Sequence, residues 1–100
     1  LLHAALRASF GDKVRQAGSL VAADRLRFDI TFERALTHEE LRAIETQVNR
    51  WILEDWSVAR TPDVPYQKAL EQGAIAFFGE KYGEKVRVVA VPGVSVELCG

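Results

Sequence analysis

A chain of 100 residues with 48% hydrophobic content has enough apolar surface for one compact domain and little room for a second core. Thirteen basic against fourteen acidic residues leave a net charge of −1, which argues against an autonomous nucleic-acid binder held by phosphate neutralisation. No apolar run approaches the roughly 18 to 20 residues of a membrane span, no signal-peptide layout opens the chain, and a single cysteine forms no internal disulfide, so the expected setting is cytoplasmic.

Leu2, Ala5, Leu6 and Phe10 recur at helical spacing until Gly11-Asp12 breaks the pattern, which predicts the tail of a helix. Val14 to Val21 reads as a strand, Ala23-Asp24 as a short turn, and Leu26 to Phe32 as a second strand in which Leu26, Phe28, Ile30 and Phe32 alternate with polar residues. The pair is expected to form a β-hairpin with one buried face. Simple alternation along the first strand groups Val14, Gln16, Gly18 and Leu20 on one face, with a single amide among apolar neighbours.

Thr37-His38-Glu39-Glu40 has the spacing of a capping box, so a helix is expected to start there, with Leu41, Ile44, Val48, Trp51 and Ile52 on its inner face. Pro62 and Pro65 bound a short extended stretch, and Tyr66 to Gln72 is a short helix ending at Gly73. Lys85 to Val91 is rich in β-branched residues, and Pro92-Gly93 turns the chain into a last strand, Val94 to Cys99. Alternation puts Ser95, Glu97 and Cys99 on one face of that strand. The order of elements predicts an α+β fold, an antiparallel sheet packed against one long helix with shorter helices beside it, in a single domain over 1–100.

Several blocks occur in a recognisable order: Leu1-Leu2-His3-Ala4-Ala5-Leu6-Arg7, Val14 to Val21, Leu26-Arg27-Phe28-Asp29, Gly73 to Gly83, Val86-Arg87-Val88-Val89, and Glu97-Leu98-Cys99-Gly100. Together they resemble the editing domain of alanyl-tRNA synthetases, the threonyl/alanyl second additional domain type. Free-standing alanyl-tRNA editing proteins share the same chemistry and are a second reading; a noncatalytic structural or interaction module is a third. Two small departures stand out: Ile30-Thr31-Phe32 replaces a common aromatic and Ser-His pair, and Ile75 and Phe77 occupy positions often held by Met and Leu.

The resemblance implies a hydrolase that removes wrongly attached serine or glycine from alanine tRNA, bound mainly through other domains of a larger synthetase, with ATP used only at a separate domain. In that family Cys99 corresponds to a zinc ligand of a Cys-x-x-x-His pair, and a His-x-x-x-His pair precedes a helix beginning like Leu1 to Arg7. The chain is thus expected to be cut at both ends of its metal site: zinc belongs to the longer parent, while the fragment binds none and is inactive alone. Gln16 corresponds to an active-site glutamine, the catalytic candidate. Ser19, Asp29 and Glu97 are candidates for substrate binding.

Other readings of the same residues are less specific. A lone cysteine is commonly a small buried hydrophobe, a strand glutamine commonly bonds its neighbours, and Glu97 also suits an exposed strand carboxylate. A nucleophilic Ser19 paired with Asp29 lacks a suitably placed histidine base. His3 and His38 have no ligand partner at a useful spacing. Arg15, Arg27 and Arg87 suit either the tRNA end or ordinary ion pairs. Gly79 to Gly83 reads by itself as a glycine-rich surface loop; the resemblance implies that Gly73 to Tyr82 forms part of the pocket rim, with Phe77 and Phe78 excluding water.

Overall fold

The computed structural model describes residues 1–76 and 82–99. Phe77, Phe78, Gly79 and Gly100 therefore lie outside the described residues, as does the pocket-rim expectation placed on the two phenylalanines. The chain is an α+β fold divided into two compact units, Leu1–Glu54 and Asp55–Gly100. The expected single sheet is two antiparallel sheets, one in each unit.

In the first unit, α1 (Leu2–Phe10) leads through a 3-10 turn (Gly11–Lys13) into β1 (Arg15–Val21), β2 (Leu26–Thr31) and α2 (His38–Leu53). Gly11 ends α1 with φ 72°, a left-handed conformation that L side chains avoid. The hairpin turn closes through Ala22 N–H donating to the Arg25 carbonyl at 2.8 Å. Ala5, Leu6, Val14 and Ile44 form the core, with Phe28, Ile30, Val48 and Trp51 packed against it, so the long helix does lie on a sheet face.

Coverage of that face is partial. Phe28 and Ile30 are half-buried, whereas Leu26 and Val21, nearer the turn, are 64% and 86% exposed. On α2, Ile44 is buried and Leu41 and Ile52 are exposed, a narrower inner stripe than helical spacing predicts. The start of α2 matches its capping signature. Glu40 N–H donates to Thr37 Oγ1 at 3.2 Å, and Thr37 N–H donates to Glu40 Oε1 at 3.0 Å.

In the second unit, β3 (Ala59–Pro65), α3 (Tyr66–Glu71), β4 (Lys85–Val91) and β5 (Ser95–Cys99) follow in order. The sheet runs β3-β4-β5, antiparallel throughout. The stretch bounded by prolines is thus a paired strand, and it takes the outer position, where a missing N–H need not serve a second neighbour. Its pairing shifts between Thr61 and Val64, and Asp63 has φ 55° there. Val64, Ala69, Ala74, Val86, Val88 and Leu98 make this unit's core, flanked by Tyr66 and Tyr82, stacked at 5.7 Å. Beyond β5, Ile75 N–H donates to the Val96 carbonyl at 2.9 Å and Leu98 N–H to the Ile75 carbonyl at 3.0 Å.

Candidate functional site

The candidate residues fall into two groups, Gln16, Ser19 and Asp29 on the hairpin of the first unit and Glu97 and Cys99 on β5 of the second.

On the hairpin, Gln16 pairs with Ile30, but Gly18 pairs with Asp29, leaving Ala17 as an extra residue. Residues directly opposite in an antiparallel pair project to the same face. Gln16 therefore shares the face of Ile30, and Ser19, opposite Phe28, shares it too. Gly18 and Leu20 lie on the other face, opposite Asp29 and Arg27. The grouping of Gln16 with Gly18 and Leu20 expected from simple alternation is corrected by this bulge. One extra residue reverses the facing of everything beyond it.

Asp29 is engaged by its own strand. Arg27 Nε donates to Oδ1 at 2.9 Å and Oδ2 at 3.1 Å, and both side chains are about half exposed. The carboxylate sits over Gly18, where a β-carbon would stand 2.8 Å from Oδ2. Sequence reading singled out Asp29 but missed Gly18 and gave Arg27 no partner. The i, i+2 spacing of Arg27 and Asp29 was the available signal.

On β5, Cys99 pairs with Arg87 across the ladder, and Arg87 Nη2 lies 2.8 Å from the sulfur as donor. Glu97, two residues back on the same face, accepts from Ser95 Oγ at 3.5 Å. Ser95, Glu97 and Cys99 are half-buried, while Leu98 between them is buried in the core. The expected polar face exists, and Arg87 is an addition to it.

His3 and His38 take non-ligand positions. His3 is buried on α1 with its ring 5.6 Å from that of Phe28, and His38 is exposed in the first turn of α2. Among the described residues, no group of three or more His, Cys, Asp or Glu side chains comes together to hold a metal ion. Zinc takes three or four protein ligands. Cys99 offers one soft donor with an arginine against it, so the described residues do not by themselves fit a zinc centre.

Among the described residues, the clearest electrostatic perturbation involves neither group. Arg34 forms a fork to Glu40 at 2.7 and 2.9 Å. That pairing, reinforced by the Thr37 N–H, holds the Glu40 carboxyl down at about 2, and Glu40 in turn raises Arg34. This is a helix-capping cluster, built from the first-turn residues that the sequence marks.

An amide and a serine on one face of one sheet and an arginine-backed thiol on the other sheet are binding and polarising groups without a defined reaction; what the chain is similar to is aminoacyl-tRNA ligases. Over its whole length the chain is homologous to a segment of alanine–tRNA ligases: 54% identical to that of Chlorobaculum tepidum, 58% to that of Nitratidesulfovibrio vulgaris and 55% to that of Thermotoga maritima, each over 100 residues. The chain spans 11% of the first two proteins and 12% of the third. No protein-family model matches the chain. No helix among the described residues is long and apolar enough to cross a membrane.

Proposed function

We propose that the chain is the editing segment of an alanine–tRNA ligase, part of a single editing-type domain that hydrolyses the ester of seryl- or glycyl-tRNA for alanine. The observation that carries this reading is whole-chain identity above 50% to ligases that must distinguish alanine from smaller and similar amino acids. A pocket discriminates poorly against such close analogues by binding alone, which is the physical reason a second, hydrolytic step is useful.

Gln16 is the catalytic candidate. An amide has both donors and an acceptor, so it can hydrogen-bond the ester carbonyl as charge develops there or hold the attacking water. Ser19, on the same face, suits a substrate hydroxyl or the tRNA 3′ end; Asp29 lies on the other face of the hairpin, held by Arg27, and Glu97 on β5 is a separate substrate-binding candidate. Cys99 is the proposed metal ligand in the longer protein, where zinc would need donors beyond those described. With Cys99 alone proposed as a ligand among the described residues, the 100-residue chain is expected to be inactive. A net charge of −1 supports a tRNA held mainly by other parts of the protein; ATP use elsewhere in it and a cytoplasmic setting belong to the same proposal.

The test is deacylation of seryl-tRNA for alanine by this chain beside a version extended by about ten residues at each end to complete a four-ligand zinc set, with zinc content measured in parallel. Activity and zinc in the extended form alone support the editing reading. A folded extended form without activity favours a noncatalytic module.

A further inference from the structure

We infer that the turn end of the β1–β2 hairpin is a docking surface for the residues that directly precede Leu1 in the longer protein, which continue α1 as a helix over Leu26. The inference stands on the geometry of the first unit and goes beyond the editing reading without resting on it.

One face of the hairpin stays apolar past the point where the core covers it. Leu26, Phe28 and Ile30 alternate along β2 on that face, and the residues opposite them, Val21, Ser19 and Gln16, share it. Ile30 and Phe28 pack against the core of Ala5, Leu6, Val14 and Ile44. One step nearer the turn, Leu26 is 64% exposed and Val21, directly opposite, 86%. Two large aliphatic side chains side by side at the end of a covered strip continue the core, unlike scattered surface residues.

The direction of α1 says what lies over them. The ring of Phe10 meets that of Phe32 at 5.1 Å, and the ring of His3 meets that of Phe28 at 5.6 Å. From Phe10 back to His3 the helix advances about 10 Å, and from Phe32 back to Phe28 the strand advances about 13 Å. Thus α1 runs beside β2 with its N-terminal end toward the hairpin turn.

Leu26 lies two residues beyond Phe28, about 7 Å further along the strand. On a helix the residue four places before His3 shares its face and stands about 6 Å higher. That place falls ahead of Leu1. A continued α1 therefore brings a side chain to the level of Leu26 with no change of direction.

Two further observations favour this occupant. Leu1, at the cap position of α1, has no side-chain acceptor, and the first turn holds no acidic residue, whereas α2 opens on the Thr37–Glu40 capping box. The start signals expected of a helix are thus missing where α1 begins. The homologous ligases also have ample further chain, since the 100 residues span 11% or 12% of them.

The experiment is thiol labelling with peptide mapping of Leu26→Cys in three forms. These are the chain itself, the chain preceded by the ligase's own about ten residues, nearly three helical turns, and the chain preceded by a Gly-Ser sequence of equal length. Leu41→Cys, exposed near the start of α2, is the control, and thermal melts verify that every variant is folded. The natural extension is expected to slow labelling at Leu26→Cys about tenfold or more. The Gly-Ser sequence should leave that rate unchanged, and Leu41→Cys should react equally in all three forms.

Equal labelling of Leu26→Cys in the chain and in its natural extension overturns the inference, as does equal slowing by the Gly-Ser sequence. Slowing that grows with protein concentration would assign the surface to a second copy. Slowing seen only in the whole ligase would assign it to another part of that protein. Either of these results also overturns the continuation of α1 as the occupant.

Discussion

Gly18 lies directly beneath the carboxylate of Asp29, so close that a methyl group added at residue 18 would stand 2.8 Å from Oδ2. Nothing in the backbone at this position demands glycine, since Gly18 is absent from the residues with positive φ. The restriction comes from the neighbour alone. Gly18→Ala is therefore expected to cost at most about 1 kcal/mol, the scale of the exposed Arg27–Asp29 pair that the carboxylate leaves as it swings aside. In an Asp29→Ala background the same change should become neutral or stabilising by about 0.4–1 kcal/mol, because alanine restricts the unfolded chain. A double-mutant cycle from urea denaturation measures the coupling, and additive effects would disprove the contact.

Gln16→His retains a polar ring while removing the amide's geometry. In the extended form it is expected to impair deacylation of seryl-tRNA at least tenfold, the scale on which loss of one positioned hydrogen-bonding group is felt, with the melting temperature nearly unchanged. Unchanged deacylation rates would remove Gln16 from the mechanism.

Among the described residues, Val14 is the largest side chain with essentially no exposure. Val14→Ala should cost about 2 kcal/mol, the sum of lost transfer energy and an incompletely collapsed cavity. It should also loosen the start of β1, visible as faster amide exchange at Arg15 to Gly18. A change below about 0.5 kcal/mol, the range of ordinary surface substitutions, would contradict its burial.

The start of α2 should depend on pH through Glu40. Its carboxyl is lowered from an ordinary 4.5 to about 2, first by Arg34 and then by the Thr37 N–H. A depressed carboxyl contributes stability that is complete above the unfolded value and is lost as pH falls through the folded one. Amide protection in the first turn of α2 is expected to hold above pH 4.5 and decline toward pH 2. Glu40→Gln should remove that dependence, while Thr37→Ala should cost about 1 kcal/mol at every pH by deleting the cap acceptor. Parallel acid profiles for the Gln variant and the parent would rule the cluster out as the cause.

Elements whose signals are local were legible in the sequence. Thr37 and Glu40 announce the start of α2 because a capping box needs only residues three apart, and Gly11 and Gly73 mark chain reversals that their φ values of 72° and 83° require. The strand from Ala59 to Pro65 was legible only as extended chain. Proline in a sequence argues against a strand, and only a partner on one side alone makes it acceptable. The bulge at Ala17 was not legible, since Gln-Ala-Gly-Ser reads as regular alternation until Asp29 is placed opposite Gly18. Of the site residues, Cys99 and Glu97 were correctly grouped by period two; Arg87 escaped because cross-strand partners depend on register, which the sequence of one strand does not contain.

The outer strand of the second sheet has a bearing on how this protein behaves in company. Pro62 and Pro65 carry no donor, and Asp63, held at φ 55°, interrupts the row of backbone groups between them. An incoming extended chain finds no continuous ladder to extend along β3, while on the opposite side the Ile75 backbone already occupies Val96 and Leu98. Both flanks of the sheet are thus poorer templates for an added strand than a bare edge would be. Replacing both prolines with threonine would restore two donors to that outer edge without removing any residue of this unit's core.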